Sequence, residues 1–359
     1  MVPAPARLRR SSVRRVDRAR LARTVEEVID PEVELCDPHH HLWAEPTMRY
    51  PRYDLEDLHT DTGAGHRVTS TVFVECMAAY RTDGPEALRP VGETAFVAGR
   101  ADRSDRSGGA RIAAIVGFAD LTLGAAVDEV LAAHVEAAGG RFRGIRHAAG
   151  WDASPDVPNS HTDPPADLYD LASFRAGMRT LAARRLSFDA WQYHPTLPRL
   201  VALARAVPEA TIVVNHLGAP LGIGPYAGRR SEVLASWWSS MAELAACPNV
   251  VLKLGGIGMP RYGAGWERLE RPPTSADLVD LWGDEIRRCI DAFGPDRCMF
   301  ESNYPVDGES VGYVVLWNAF KRIAASYDRS ERDALLRGTA VRTYRIEAAD
   351  SSEPHGGTR

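Results

Sequence analysis

Eight short runs along the chain are rich in β-branched and aromatic residues, at positions 33–37, 70–76, 111–118, 142–147, 186–193, 211–216, 250–254 and 298–303. Between them, apolar residues return at three- and four-residue steps over 126–138, 171–185, 197–206, 232–246 and 278–293. Two more helical patterns, 314–327 and 332–344, follow the last run. Strands that alternate with helix-length connections pair in parallel, because each crossover needs a helix to return the chain to the same edge. Eight such units predict an α/β chain closed into a (β/α)8 barrel. An open nucleotide-binding sheet would carry a Gly-rich turn after the first strand. Here the first run leads into Asp37-Pro38-His39-His40-His41.

The pattern places one barrel domain at 31–346, a basic and flexible N-terminal arm at 1–30, and a disordered tail at 347–359. Three long connections (42–69, 148–170 and 255–275) interrupt the regular alternation. Two of them follow the fourth and seventh strands, where loops wall or cover a barrel's pocket.

Charge sharpens this picture. Residues 1–24 hold eight arginines and one acid, a charge of +7, so the remainder carries −12 of the chain's total of −5. An acidic body argues against nucleic acid as a partner. No run of 18 apolar residues is present, which argues against a membrane span. The N-terminus lacks the apolar stretch of a secretory signal. Five scattered cysteines without CxxC spacing read as reduced thiols of a cytoplasmic protein.

The candidate chemistry lies at the strand ends. In extended backbone alternate side chains share a face, so His39 and His41 point together and His40 away. Two imidazoles aimed into a barrel mouth make half of a metal site. Polar residues recur at the later ends: Glu75, Asp120, Arg146-His147, Tyr193-His194, Asn215-His216, Lys253 and Glu301-Ser302-Asn303. Barrel enzymes collect their catalytic groups at these ends. Arg146, His147, Tyr193 and Lys253 are candidate substrate contacts, joined by Trp151 just beyond the fourth strand. Arg81 and Arg261, in loops after the second and seventh strands, are further candidate anion contacts.

Four motifs in this order, Asp37-x-His39-x-His41-Leu42-Trp43, Phe142-Arg-Gly-Ile-Arg146, Asn215-His216-Leu217-Gly218-x-Pro220 and Met299-Phe-Glu-Ser-Asn303-Tyr-Pro305, make the chain similar to the amidohydrolase superfamily. The similarity is to the branch that holds sugar-lactone and pyrone-dicarboxylate lactonases and metal-dependent decarboxylases. It spans about residues 33–345. It implies a distorted barrel in which His39, His41, His194 and His216 match the family's histidines, a divalent metal (zinc first, manganese as the alternative), and pairing of barrels as homodimers. Some lactonases of the branch work without metal. Arg146 resembles an arginine that meets a substrate carboxylate, and a guanidinium fork suits that task.

One position departs from the family pattern. The eighth strand usually ends Gly-Ser-Asp-x-Pro, with the aspartate as general base, whereas this chain reads Glu301-Ser302-Asn303-Tyr304-Pro305. An asparagine cannot take a proton near neutral pH. Glu301, two residues earlier, should share its face and supply a deeper carboxylate as base or metal ligand. The competing arrangement pairs Glu301 with Lys253 or Arg146 inside the barrel. Glu75 and Asp307 are the other candidate bases.

The leading expectation is therefore a hydrolase of a small anionic substrate, a lactone of an organic or sugar acid, with His216, Glu75, Glu301 and Asn303 in the catalytic set. A metal-dependent decarboxylase or hydratase of an unsaturated or aromatic acid is the alternative. An inactive acid-binding barrel is the third reading.

Overall fold

The computed structural model describes residues 16–47 and 50–347. Eight parallel strands, β1 (Glu34–His40), β2 (Arg67–Val74), β3 (Arg111–Gly117), β4 (Phe142–Arg146), β5 (Ser187–Ala190), β6 (Ile212–Val214), β7 (Val250–Leu254) and β8 (Cys298–Phe300), follow one another in sequence order. The ring closes where His40 bridges Tyr304 in parallel and the His41 N–H donates to the Tyr304 carbonyl at 2.8 Å. The predicted barrel is thus the observed one.

Helices pack around it: α1 (Arg18–Leu21), α2 (Leu55–Thr62), α3 (Val91–Asp105), α4 (Val127–Ala137), α5 (Ala172–Ala183), α6 (Leu197–Ala206), α7 (Arg230–Ala245), α8 (Ser275–Phe293), α9 (Tyr313–Ala324), α10 (Arg329–Asp333) and α11 (Thr339–Thr343). The apolar periodicity located α4 to α9. It missed α2 and α3, whose inward faces carry only two large apolar residues each, Leu55 and Leu58 in one and Val91 and Val97 in the other, among small or polar ones such as Asp61, Thr62, Glu93, Thr94 and Ser104. What starts α2 is a capping box between Asp54 and Asp57. The last pattern, expected as one helix, is α10 and α11 joined by a π-helical turn, Ala334–Gly338.

Most of the core lies between strands and helices. A smaller cluster inside the barrel joins Cys36, Val72, Val74, Ala114, Val116, Val213 and Met299 to Ala340 and Tyr344. The C-terminal helices therefore stop the end of the barrel where the strands begin. Chemistry is left to the opposite end.

Part of the expected arm lies against that opposite end. Arg18 grips Asp61 at 2.8 and 3.1 Å, Arg20 donates to the carbonyls of Trp266, Leu269 and Glu309, and Thr24 donates to the Pro272 carbonyl at 2.7 Å. Residues 1–15, and the expected tail beyond 347, lie outside the described residues. Among the described residues no helix is long and apolar enough to cross a membrane.

Candidate active site

Asp37 ties the end of β1 to the end of β8. Its carboxylate accepts from the Ser302 and His39 N–H groups at 3.0 and 3.3 Å and from the Tyr313 hydroxyl at 3.0 Å. Burial raises its pKa to about 6. The β1–β2 register slips between Asp37 and His40, and Pro38 within that slip has no N–H to give the ladder. His40 turns away, as its position predicts, to pair with Thr71 at 3.0 Å and lie edge-on to Phe73. His39 and His41 turn inward, with ring centroids 5.0 Å apart.

Glu301 stands between two imidazoles. Its Oε2 lies 2.7 Å from His39 Nδ1, and its Oε1 accepts from both Nδ1 and the backbone N–H of His216, at 2.7 and 2.8 Å. The expectation of a deeper carboxylate at this strand end holds as geometry. The competing pairing with Lys253 or Arg146 does not form. Donor atoms of His39, His216 and Glu301 lie within 4.8 Å of one another, all buried, a set that could hold a divalent ion.

Tautomers follow from these partners. His216 Nδ1 faces a carboxylate and His41 Nδ1 faces the Val74 carbonyl at 2.7 Å, so each carries its proton there and leaves a lone pair on Nε2. Burial, then the neighbouring cations Lys253 and Arg146, keep His39 well below the usual imidazole range, and burial lowers His216 and His41 as well.

Backbone conformation sets this pair in place. His216, Leu217 and Ala219 all have left-handed φ angles (55°, 53° and 50°), as does Asn303 (53°). For residues with side chains such angles are strained and are held only by their surroundings. The Tyr262 hydroxyl donates to the His216 carbonyl. Gly255 and Gly256 let the chain after β7 close over the pair. A Cβ on Gly255 would fall 2.4 Å from Glu301 Cγ, and one on Gly256 would fall 2.7 Å from His216 Cβ.

Across the barrel lies a second carboxylate cluster. Glu75, just past β2, accepts Arg146 Nε at 2.7 Å, while Arg146 Nη2 donates to the Glu75 carbonyl. The remaining amino group, Nη1, lies 3.3 Å from His39 Nε2. Arg146 lines the cavity, but its fork is filled by Glu75, so the expected grip on a substrate carboxylate is not what this geometry offers. His161, in the loop after β4, brings Nε2 to 2.9 and 3.1 Å from the two Glu75 oxygens. Burial would raise Glu75, but His161 and Arg146 outweigh it and hold the pKa at about 2.

Other candidates fall elsewhere. Lys253 lies under the site, paired with Asp189 at 2.7 Å, and does not line the cavity. His194 accepts from the Leu221 N–H at 3.2 Å and packs edge-on to Tyr226, apart from the His39–His216–Glu301 group. His147 accepts from the Leu121 N–H at 3.3 Å and lines a neighbouring cavity. Tyr193 donates to the Pro158 carbonyl and accepts from Arg261. Trp151 does not line the cavity. Asn303 lines it, with its amide donating to Asp307 at 2.7 Å. Asp307 is fully buried, burial pushes its pKa up, and its other oxygen accepts the Gly258 N–H, which leaves it poorly placed as a base.

The cavity measures about 440 Å³. His41, His216, Arg146, His161 and Asn303 contribute its polar groups, and Trp43, Tyr50, Trp191, Met259 and Pro260 its apolar walls. Arg261 stands at its side, within 5.6 Å of the Trp191 ring and 5.4 Å of the Tyr193 ring. His161 escaped the sequence reading, since it belongs to no strand-end pattern. The one signal was its place in the long 148–170 connection.

Comparison with known proteins agrees with this architecture. The amidohydrolase family model matches residues 36–346. An L-fucono-1,5-lactonase of Burkholderia multivorans is 30% identical over 334 residues, 88% of this chain and 97% of that protein. One from Burkholderia ambifaria is 31% identical over 280 residues, 75% of this chain and 80% of its own. An amidohydrolase of Burkholderia multivorans, solved with bound zinc, superimposes with a TM-score of 0.68 at 28% identity, covering 88% of this chain and all of its own. The chain carries the family's barrel and a polar strand-end site, and it belongs to the amidohydrolase family.

Proposed function

We propose that the protein hydrolyses a small lactone, a sugar-acid 1,5-lactone being the best-supported class. The observation that carries this reading is Glu301 set between His39 and His216 just beneath a cavity of about 440 Å³, into which His216 reaches and which has room for a small lactone. The names of the two Burkholderia relatives support the substrate class.

Glu301 fixes the His216 tautomer and stabilises positive charge on its ring. In the ion-free protein, His216 Nε2 is the atom that takes the proton of the attacking water. His39, His216 and Glu301 would hold a divalent ion, which when bound polarises a carbonyl and acidifies water. Trp43 and Tyr50, stacked at 4.5 Å, offer a flat wall to a ring. Arg261 donates one N–H to Tyr193 and faces the cavity with the rest of its fork, so it replaces Arg146 as the contact for an anionic or hydroxyl-rich edge.

The test is a panel of aldono-1,5-lactones assayed by proton release, with protein as purified, after chelation, and after zinc or manganese addition. Turnover well above the spontaneous rate is expected for at least one sugar lactone. No turnover in any of the three states would overturn the proposal.

A further inference from the structure

Opening a lactone needs two proton transfers. One leaves the attacking water and the other reaches the departing ring oxygen, an alkoxide of high basicity when the alcohol is aliphatic. The Glu301–His216 pair accounts for the first, and nothing described so far performs the second. The cavity is also lined by His161, whose ring rests on a second carboxylate, Glu75, buried behind it. That carboxylate follows β2, while His216 follows β6, and in an eight-stranded ring the second and sixth strands are diametrically opposite. His161 and His216 therefore enter the same cavity from opposed walls.

We infer that His161, seated on the Glu75 carboxylate, is the general acid that protonates the leaving ring oxygen. This inference rests on the lactonase reading above. In the step, the bond from the carbonyl carbon to the ring oxygen breaks and its electron pair goes to that oxygen. The oxygen takes a proton from the His161 nitrogen that Glu75 does not hold, and His161 is left neutral. The product is an open-chain hydroxy acid, which loses one proton to solvent.

Three further observations fit this role. Both Glu75 oxygens lie within 3.1 Å of His161 Nε2, which fixes the ring through that nitrogen and leaves the other to a substrate, and Arg146 helps to keep that carboxylate charged. His161 is 24% exposed, whereas Glu75 is fully buried, so the ring can exchange protons with water while its partner cannot. His161 also lines a neighbouring cavity of about 520 Å³ with His147 and Asp120, which gives water a route for reprotonation away from bound substrate. The charged and titratable groups around the ring are Glu75 from the end of β2 and Arg146 and His147 from β4, with Asp120 behind His147.

The experiment compares two substrates that differ in their leaving group, in wild-type protein and in His161→Asn and His161→Gln. One is an aliphatic sugar 1,5-lactone. The other is an aryl lactone such as dihydrocoumarin, whose leaving phenol has a pKa near that of tyrosine, about 10, and needs little help from an acid. Both variants should lose on the order of 100-fold in kcat on the aliphatic lactone and less than about fivefold on the aryl one. Turnover of the aryl lactone shows at the same time that the variant is folded and its water-activating side intact. Equal losses on both substrates, or no loss on either, would overturn the assignment while leaving the lactonase reading in place. A wild-type protein that opens no lactone, neither the aryl one nor any of the sugar-lactone panel, would overturn both.

Discussion

Two buried charged clusters share the inside of this barrel, one above the other. In the lower one, Asp189 accepts from Lys253, Asn215 and Tyr344 at 2.7, 3.0 and 2.8 Å, and the C-terminal helices seal it. In the upper one, Glu301 accepts from His216 Nδ1 and sets its other oxygen 2.7 Å from His39 Nδ1, while His216 reaches the cavity. The clusters nearly touch, since Lys253 Nζ lies 3.4 Å from His39 Nδ1. The lower cluster gathers three donors on one carboxylate oxygen and has no open side. The upper one leaves a nitrogen lone pair facing space. The difference separates buried charge that holds a structure from buried charge that performs chemistry.

Glu301→Gln should break the upper cluster's chemistry and leave the barrel folded. Glutamine keeps the shape but cannot stabilise a protonated His216, so kcat on a sugar lactone should fall on the order of 1,000-fold. Steady-state kinetics with a circular-dichroism melt of the same sample checks this. A loss of folding with little loss of kcat per folded molecule would assign Glu301 to structure instead.

Lys253→Met should do the reverse. It leaves the Asp189 carboxylate buried beside two neutral donors, and breaking such a pair costs about 3–5 kcal/mol. Urea unfolding should register that loss, and adding Asp189→Leu should recover part of it. Full stability in the single variant would mean that the lower cluster is not the barrel's electrostatic anchor.

Glu75 offers a test by pH. Its folded pKa, about 2, lies below the ordinary 4.5. The stability it contributes is therefore complete above about pH 4.5 and is lost as pH falls toward 2. At roughly 1.4 kcal/mol per unit, the effect is on the order of 3 kcal/mol. Denaturation between pH 5 and 2 should show a steeper loss in wild-type protein than in Glu75→Gln, and parallel curves would contradict the pairing.

The sequence was most readable where regular geometry extends to the functional atom. The barrel followed from the alternation of strands and helices, and the split between His40 and its two neighbours followed from strand alternation. Glu301 was found because it lies one residue past β8, where the strand's facing still applies. Arg146 was placed correctly, but its partner was invisible, because Glu75 sits two strands away and sequence carries no sign of pairing across a barrel. His161 lies in an irregular loop where no period assigns a direction. Asn303 was expected on the same face as Glu301 and does line the cavity, although its amide is turned to Asp307, in a loop that sequence could not position.

His194 sharpens that boundary. The fifth run was expected to extend to residue 193, which would have aimed His194 from a strand end, but β5 stops at Ala190 and His194 opens a 3₁₀ turn instead. There its Nδ1 accepts the Leu221 N–H, its ring packs on Tyr226, and burial lowers its pKa to about 4. The family resemblance made it a metal ligand, whereas this geometry makes it a neutral packing residue that tethers the loop after β6. His194→Gln should therefore change kcat and bound zinc by less than about twofold, with a modest loss of stability of about 1 kcal/mol from the lost acceptor. Elemental analysis of zinc-loaded protein beside lactone kinetics reads both quantities. A stoichiometric loss of zinc would restore His194 to the ligand set and would mean that the turn after β5 rearranges when an ion binds.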